Sequence, residues 1–167
     1  MPEERANLVT MKGNPVTLVG HEVKPGDSAP DFTLHSMPGV PVGLHDLEGK
    51  VKVFNVVVSV DTPVCDVQTK KFNEEAANLG GDVEILTISM DLPFALKRYC
   101  AAEGIDRGKT VSDYMDASFG ENYGVLIKEN RLLARSIFVV DRDDKVKYVE
   151  IVPEIASEPD YEAAISA

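Results

Sequence analysis

Tryptophan is absent, and cysteine and histidine are scarce: two cysteines and three histidines in 167 residues. Two cysteines are too few for a disulfide-built scaffold. They are also too few for a zinc site without nearby histidine, and His21, His35 and His45 have no ligand spacing to either cysteine. These histidines read as surface or loop residues. Basic clusters are missing as well. The net charge is −11, and phosphate binding needs grouped Lys and Arg, so nucleic acid is excluded as a partner class. The acidity serves solubility. No apolar run approaches a membrane span, and Met1-Pro2-Glu3-Glu4-Arg5 lacks the basic start of a secretory leader. A cytoplasmic protein without a membrane partner is expected. Phosphate-binding glycine loops and a Ser-His-Asp arrangement are also lacking. Asp141-Arg142-Asp143-Asp144 faintly resembles a calcium loop, but Val146 and Val152 stand where its glycine and glutamate belong. It reads as a hairpin turn.

What remains is a chain with 44% hydrophobic residues, enough for one domain with a proper core over residues 1–167. Residues 8–12 and 15–19 flank Gly13-Asn14 as a hairpin, with Pro15 expected to put one strand at an edge. Residues 1–20 are thus an N-terminal hairpin extension. Lys24-Pro25-Gly26-Asp27 is a turn, 31–34 a short strand, and 36–43 a Pro- and Gly-rich loop. The apolar run 51–58 suits a central strand buried on both faces. Helical spacing over 62–79 places Val64, Gln68, Phe72 and Ala76 on one stripe, closed by Gly80-Gly81. A strand over 83–89 and a helix over 93–103 follow, then a short strand at 110–112 and a short helix at 117–123. Residues 132–140 and 145–152 read as an antiparallel pair, and 160–166 as a terminal helix. Strands alternating with helices imply parallel pairing with right-handed crossovers. The expected fold is α/β and thioredoxin-like: a central mixed sheet flanked by helices, plus the N-terminal β-hairpin.

Chemistry concentrates at Asp61-Thr62-Pro63-Val64-Cys65-Asp66, directly after the buried strand. Thr62 reads as a helix N-cap, Pro63 as the first helical residue, and Cys65 falls within the first turn. A thiol there faces unpaired backbone N–H groups and the positive end of the helix dipole, which favour thiolate. Open α/β sheets place their sites at this strand-to-helix junction. The bland alternative is a small buried cysteine. Asp61 and Asp66 oppose ionisation, so a cation must offset them.

Ser59-Val60-Asp61-Thr62-Pro63-Val64-Cys65 resembles the peroxidatic loop of the peroxiredoxins, Pro-x-x-x-Thr/Ser-x-x-Cys. More narrowly, the chain is similar to the bacterial thiol peroxidase branch, an atypical two-cysteine type. Gly13-Asn14-Pro15-Val16-Thr17-Leu18-Val19-Gly20, Ala29-Pro30-Asp31-Phe32, Ser89-Met90-Asp91-Leu92-Pro93-Phe94-Ala95, Arg98-Tyr99-Cys100, Ala134-Arg135-Ser136 and Glu158-Pro159-Asp160-Tyr161-Glu162 carry the likeness through nearly the whole chain. One position departs: the motif proline, which shields the reactive sulfur, falls at Val58. Valine keeps apolar bulk but lacks the fixed φ and adds an N–H.

The resemblance implies a peroxidase that reduces hydrogen peroxide and organic hydroperoxides. Cys65 would be the nucleophile and Cys100 the resolving thiol, paired in an intrachain disulfide that thioredoxin reduces. Thr62 and Arg135 would be the activating pair, with Arg135 the offsetting cation. No metal, haem or flavin cofactor is implied, and a homodimer is expected. By its residues alone, Cys100 is equally a core cysteine beside Leu96, and Arg135 an arginine on an exposed strand face. Two rival functions stand beside this one. A general thiol–disulfide oxidoreductase is disfavoured, because Thr62 occupies the first position of a Cys-x-x-Cys. A catalytically weakened binding module is argued by Val58.

Overall fold

The computed structural model describes residues 4–11, 13–37, 39–47, 49–59, 68, 71, 83–103 and 109–153. The helices expected over 62–79 and 160–166 lie outside these, apart from Gln68 and Lys71, which are helical.

Strand β1 (Glu4–Met11) turns at Gly13 into β2 (Asn14–Val19). Strands β3 (Thr33–Met37) and β4 (Val40–Gly43) form a second hairpin. The central strand is β5 (Val51–Val56), followed by β6 (Val83–Ser89), helix α1 (Pro93–Glu103) and β7 (Lys109–Ser112). Helix α2 (Ser118–Asn122) precedes the two-residue β8 (Leu126–Ile127), and β9 (Ser136–Val140) and β10 (Val146–Ile151) close the described part. Among the described residues, seven strands make one mixed sheet in the order β10-β9-β5-β6-β7-β3-β4. Strands β5, β6 and β7 are parallel, while β9 is antiparallel to β5 and to β10.

Several expectations are corrected. Residues 36–43 are not a loop, because Gly39, at φ 81°, turns the chain so that Val40–Gly43 pairs back on β3. The hairpin does not place β2 at an edge: β2 is the middle strand of β1-β2-β8. Pro15 is accommodated because β8 pairs only with Leu18 and Val19. The strand expected over 31–34 begins at Thr33. The run 132–140 is not one ladder strand, since Leu133 makes an isolated bridge to Leu126 and β9 begins at Ser136. His35 is buried in β3 rather than at the surface.

Side chains alternate across a strand, so β5 sends Phe54 to one face and Asn55 to the other. On the first face Phe54 meets Phe32, Phe119 and Tyr123 edge-on at 5.5, 5.6 and 5.8 Å. Phe119 and Tyr123 stack at 4.2 Å, and Phe138 packs edge-on against both. Each such ring pair contributes about 0.5–1.5 kcal/mol beyond burial itself. Tyr123 Oη donates to Pro30 O at 2.7 Å, and burial raises its pKa, so it stays a donor.

Helix α2 supplies Phe119, its C-cap residue is Tyr123, and it is anchored from outside itself. Its N-cap, Ala117, has φ 52° and no capping side chain. Buried Asp113, just past β7, substitutes by accepting from Phe119 N–H at 3.0 Å and Gly120 N–H at 2.8 Å. Gly120 packs tightly there: a Cβ would stand 2.8 Å from Leu133 Cδ2, so that buried side chain would have to shift.

Candidate active site

The three parallel strands end at one edge of the sheet. Past β5, Val57 and Val58 remain buried, and Val57 N–H donates to Ile88 O at 2.9 Å. Val58 thus packs in the main apolar cluster. Thr62 and Cys65, with Asp61, Pro63 and Asp66, lie outside the described residues. Cys100 is placed by its backbone in α1, and its side chain is likewise outside the description.

Arg135 is fully described and differs from the exposed alternative. It lies one residue before β9 rather than within a strand, is only 1% exposed, and its carbonyl accepts from Val152 N–H at 3.0 Å. A buried guanidinium is costly unless its donors are met. Arg135 Nη1 donates to Gln68 Oε1 at 2.7 Å. Gln68 Nε2 donates to Asn55 Oδ1 and, at 3.4 Å, to Val56 O. Asn55 Nδ2 donates in turn to Thr87 Oγ1 at 3.1 Å. Arginine only donates, so each amide in this chain has one workable orientation. The series Arg135–Gln68–Asn55–Thr87 joins the start of β9, a helical residue, β5 and β6. In sequence, Gln68 is the third residue after Cys65.

A second polar cluster sits at the same edge. Ser59 Oγ donates to Asp91 Oδ1 at 2.8 Å, and Ser89 Oγ donates to Asp91 Oδ2 at 2.9 Å. Asp91 N–H donates to Ser89 Oγ at 3.2 Å, and Ser112 Oγ donates to Asp91 O at 2.5 Å. The Asp91 carboxylate therefore joins the exits of β5 and β6 two residues before α1.

Of the residues expected from sequence, the structure describes Arg135 in full and Cys100 by backbone. Sequence reasoning assigned no role to Gln68, Asn55, Thr87, Ser59 or Asp91. The available signal was Asn55, an amide inside the apolar run 51–58, which must find partners once buried. Parallel register places Thr87 beside it. Among the described residues, no three His, Cys, Asp or Glu are grouped to hold a metal, and no helix is long and apolar enough to cross a membrane.

Comparison with known proteins identifies the family. The Redoxin family profile matches residues 24–165. The thiol peroxidase of Halalkalibacterium halodurans is 58% identical over 159 residues, covering 95% of both chains. That of Bacillus subtilis is 57% identical over 159 residues, again 95% of both. The crystal structure of a peroxiredoxin-like protein from Aquifex aeolicus superposes with a TM-score of 0.88 at 42% identity, covering 96% of this chain and 95% of that one. With a thioredoxin-like sheet, a buried arginine tied beside the β5 exit, and this degree of likeness, the chain belongs to the redoxin family, in the thiol peroxidase branch of the peroxiredoxins, and is a thiol-dependent peroxidase.

Proposed function

We propose that Cys65 is the peroxidatic nucleophile, Cys100 the resolving thiol, and Thr62 and Arg135 the groups that activate peroxide. The observation that carries this reading is Arg135: a fully buried guanidinium, held through Gln68 in the segment that bears Cys65. Cys65 thiolate attacks the terminal oxygen of hydrogen peroxide or an organic hydroperoxide. The O–O bond breaks, water or alcohol leaves, and Cys65 becomes a sulfenic acid. Arg135 and the Thr62 hydroxyl stabilise the developing oxyanion, and the guanidinium favours thiolate at Cys65. Cys100 then attacks the sulfenic sulfur and forms the intrachain disulfide. A thioredoxin-class dithiol reduces it by exchange. Such a transient bond suits the cytoplasm. These steps use only thiols, a hydroxyl and a guanidinium. The working unit is residues 1–167 as one domain, the hairpin over 1–20 included, assembled as a homodimer.

The test follows peroxide loss with thioredoxin, its reductase and a reduced nicotinamide cofactor. Cys65→Ser should abolish turnover. Cys100→Ser should oxidise once and then stop. Turnover that survives Cys65→Ser would overturn the nucleophile, and unchanged steady-state turnover in Cys100→Ser would overturn the resolving thiol. Val58, buried where the family pattern has proline, favours the weakened binding module as the second reading. Absence of peroxide consumption by the intact chain would select it.

A further inference from the structure

We infer that Ser59 and Asp91 are positioning residues that hold the start of α1 against the end of β5, and so set how fast Cys100 leaves its helix to form the disulfide. The inference rests on the roles proposed for Cys65 and Cys100, and concerns the second chemical step rather than the first.

Cys100 lies well inside α1, seven residues beyond Pro93. That is about 10 Å along the helix axis from its first residue. Bonded cysteines need Cα atoms within about 7 Å and facing Cβ vectors, a strict requirement. In this structure α1 continues through Cys100 to Glu103. Releasing Cys100 therefore means unwinding α1, which is local unfolding within the native state.

Part of what resists that unwinding is the burial of Leu96 and Tyr99 in the main apolar cluster, and part lies where the helix begins. Leu92 O accepts from Ala95 N–H at 2.9 Å and Leu96 N–H at 3.1 Å, forming the first turn. Immediately before it, Asp91 is held on three sides. Ser89 and Ser112, both fully buried, fix it to its own strand and to β7. Those two bonds join groups within the sheet edge. The Ser59 bond is different in kind: it joins the exit of β5 to the entry of α1. Ser59 is six residues ahead of Cys65 in the chain, and Asp91 nine ahead of Cys100. One half-buried, charge-assisted hydrogen bond thus links the approaches to both cysteines. It exists only while α1 starts in its present place, so it stabilises the intact helix relative to the unwound one.

The consequence is a timing effect. Cys65 sulfenic acid has two fates. Attack by the Cys100 sulfur forms the S–S bond and breaks the S–O bond, and the oxygen leaves as water with the Cys100 thiol proton and the sulfenic proton. Alternatively, a second peroxide oxidises the sulfenate to sulfinate, its own O–O bond breaking to release alcohol or water. A stronger hold on α1 slows the first fate and leaves the second unchanged. This is true whether unwinding limits the rate or precedes it as an equilibrium.

The experiment is single-turnover oxidation of the full chain by hydrogen peroxide, quenched at intervals. Thiol, sulfenic acid (as its dimedone adduct), disulfide and sulfinic acid are separated by intact mass. Ser59→Ala should leave loss of the Cys65 thiol unchanged and speed disulfide formation by about tenfold to a hundredfold, the range of a charge-assisted hydrogen bond. Sulfinic acid formed in excess peroxide should fall by the same factor. Ser59→Thr, which keeps the hydroxyl, should restore the original rates. Backbone amide exchange at 97–103 should quicken in Ser59→Ala and not in Ser59→Thr. Unchanged or slower disulfide formation in Ser59→Ala, with normal thiol loss, overturns the inference. Failure of the intact chain to lose the Cys65 thiol overturns the underlying functional reading instead.

Discussion

On one face of β5, Phe54 meets three aromatic rings; on the other, Asn55 meets Gln68 and Thr87 through hydrogen bonds. Both faces are buried, yet they are held by different physics. Burial of the rings is non-directional, so most of its energy spreads over many contacts and a lost ring is felt as lost stability. The polar face is a directional series ending at Arg135. Every link orients the next, and a missing link leaves a buried donor or acceptor unsatisfied. The aromatic face therefore builds the domain, while the polar face fixes where a buried charge sits.

The largest effect expected from breaking this comparison lies on the aromatic side. Phe119 touches Phe32, Phe54, Tyr123 and Phe138. Phe119→Ala should cost about 3–5 kcal/mol of unfolding free energy, from lost burial and the cavity left behind. Urea titration measures it. Peroxide turnover per folded molecule should hold. A matching loss of turnover in the folded fraction would mean that the two faces are not separable.

Gln68→Ala makes the converse break. Removing the amide takes one partner from Arg135 and one from Asn55. Misplacing a group that acts on the transition state by about an ångström costs on the order of a hundredfold in rate. The rate of Cys65 thiol loss to peroxide should fall by about that factor, and its pH profile should shift towards higher pH as the guanidinium's field at the thiol weakens. Gln68→Glu keeps an acceptor for Arg135 and should recover part of the rate. Stability loss with unchanged oxidation kinetics would reduce Gln68 to a core residue.

The two faces were unequally legible in the sequence. Strand β6 and helix α1 match the expected 83–89 and 93–103, because apolar alternation, Pro93 at the helix start and the spacing of Leu96 and Tyr99 are local signals. By contrast, β8 is two residues long and exists only through pairing with β2, which no local pattern reports. Hydropathy over 132–140 could not separate β9 from the extended stretch before it. Arg135 was found through resemblance, since by its residues alone it read equally as an arginine on an exposed strand face. Gln68 stood on the apolar stripe of its helix without a role. Only the register of β5 against β6, and the hydrogen bonds that Gln68 makes beside them, reveal that these amides belong to one series.

The smallest effect sharpens the comparison by titrating the aromatic side. Asp113 anchors α2 and its rings through two backbone N–H groups. Burial pushes its pKa up from 3.8 to about 6, against those two hydrogen bonds, with Glu121 and Asp116 adding to the rise. A carboxyl whose folded pKa is raised binds more protons folded than unfolded between the two values, so its contribution to stability falls as pH rises through that window. Relative to Asp113→Asn, which does not titrate, the intact protein should lose roughly 2 kcal/mol between about pH 4 and about pH 7. Unfolding both proteins across that range gives the difference directly. A pH-independent difference would show that Asp113 stays charged throughout, with the backbone N–H groups outweighing burial. The aromatic face would then rest on a permanent ion, as the polar face rests on Arg135.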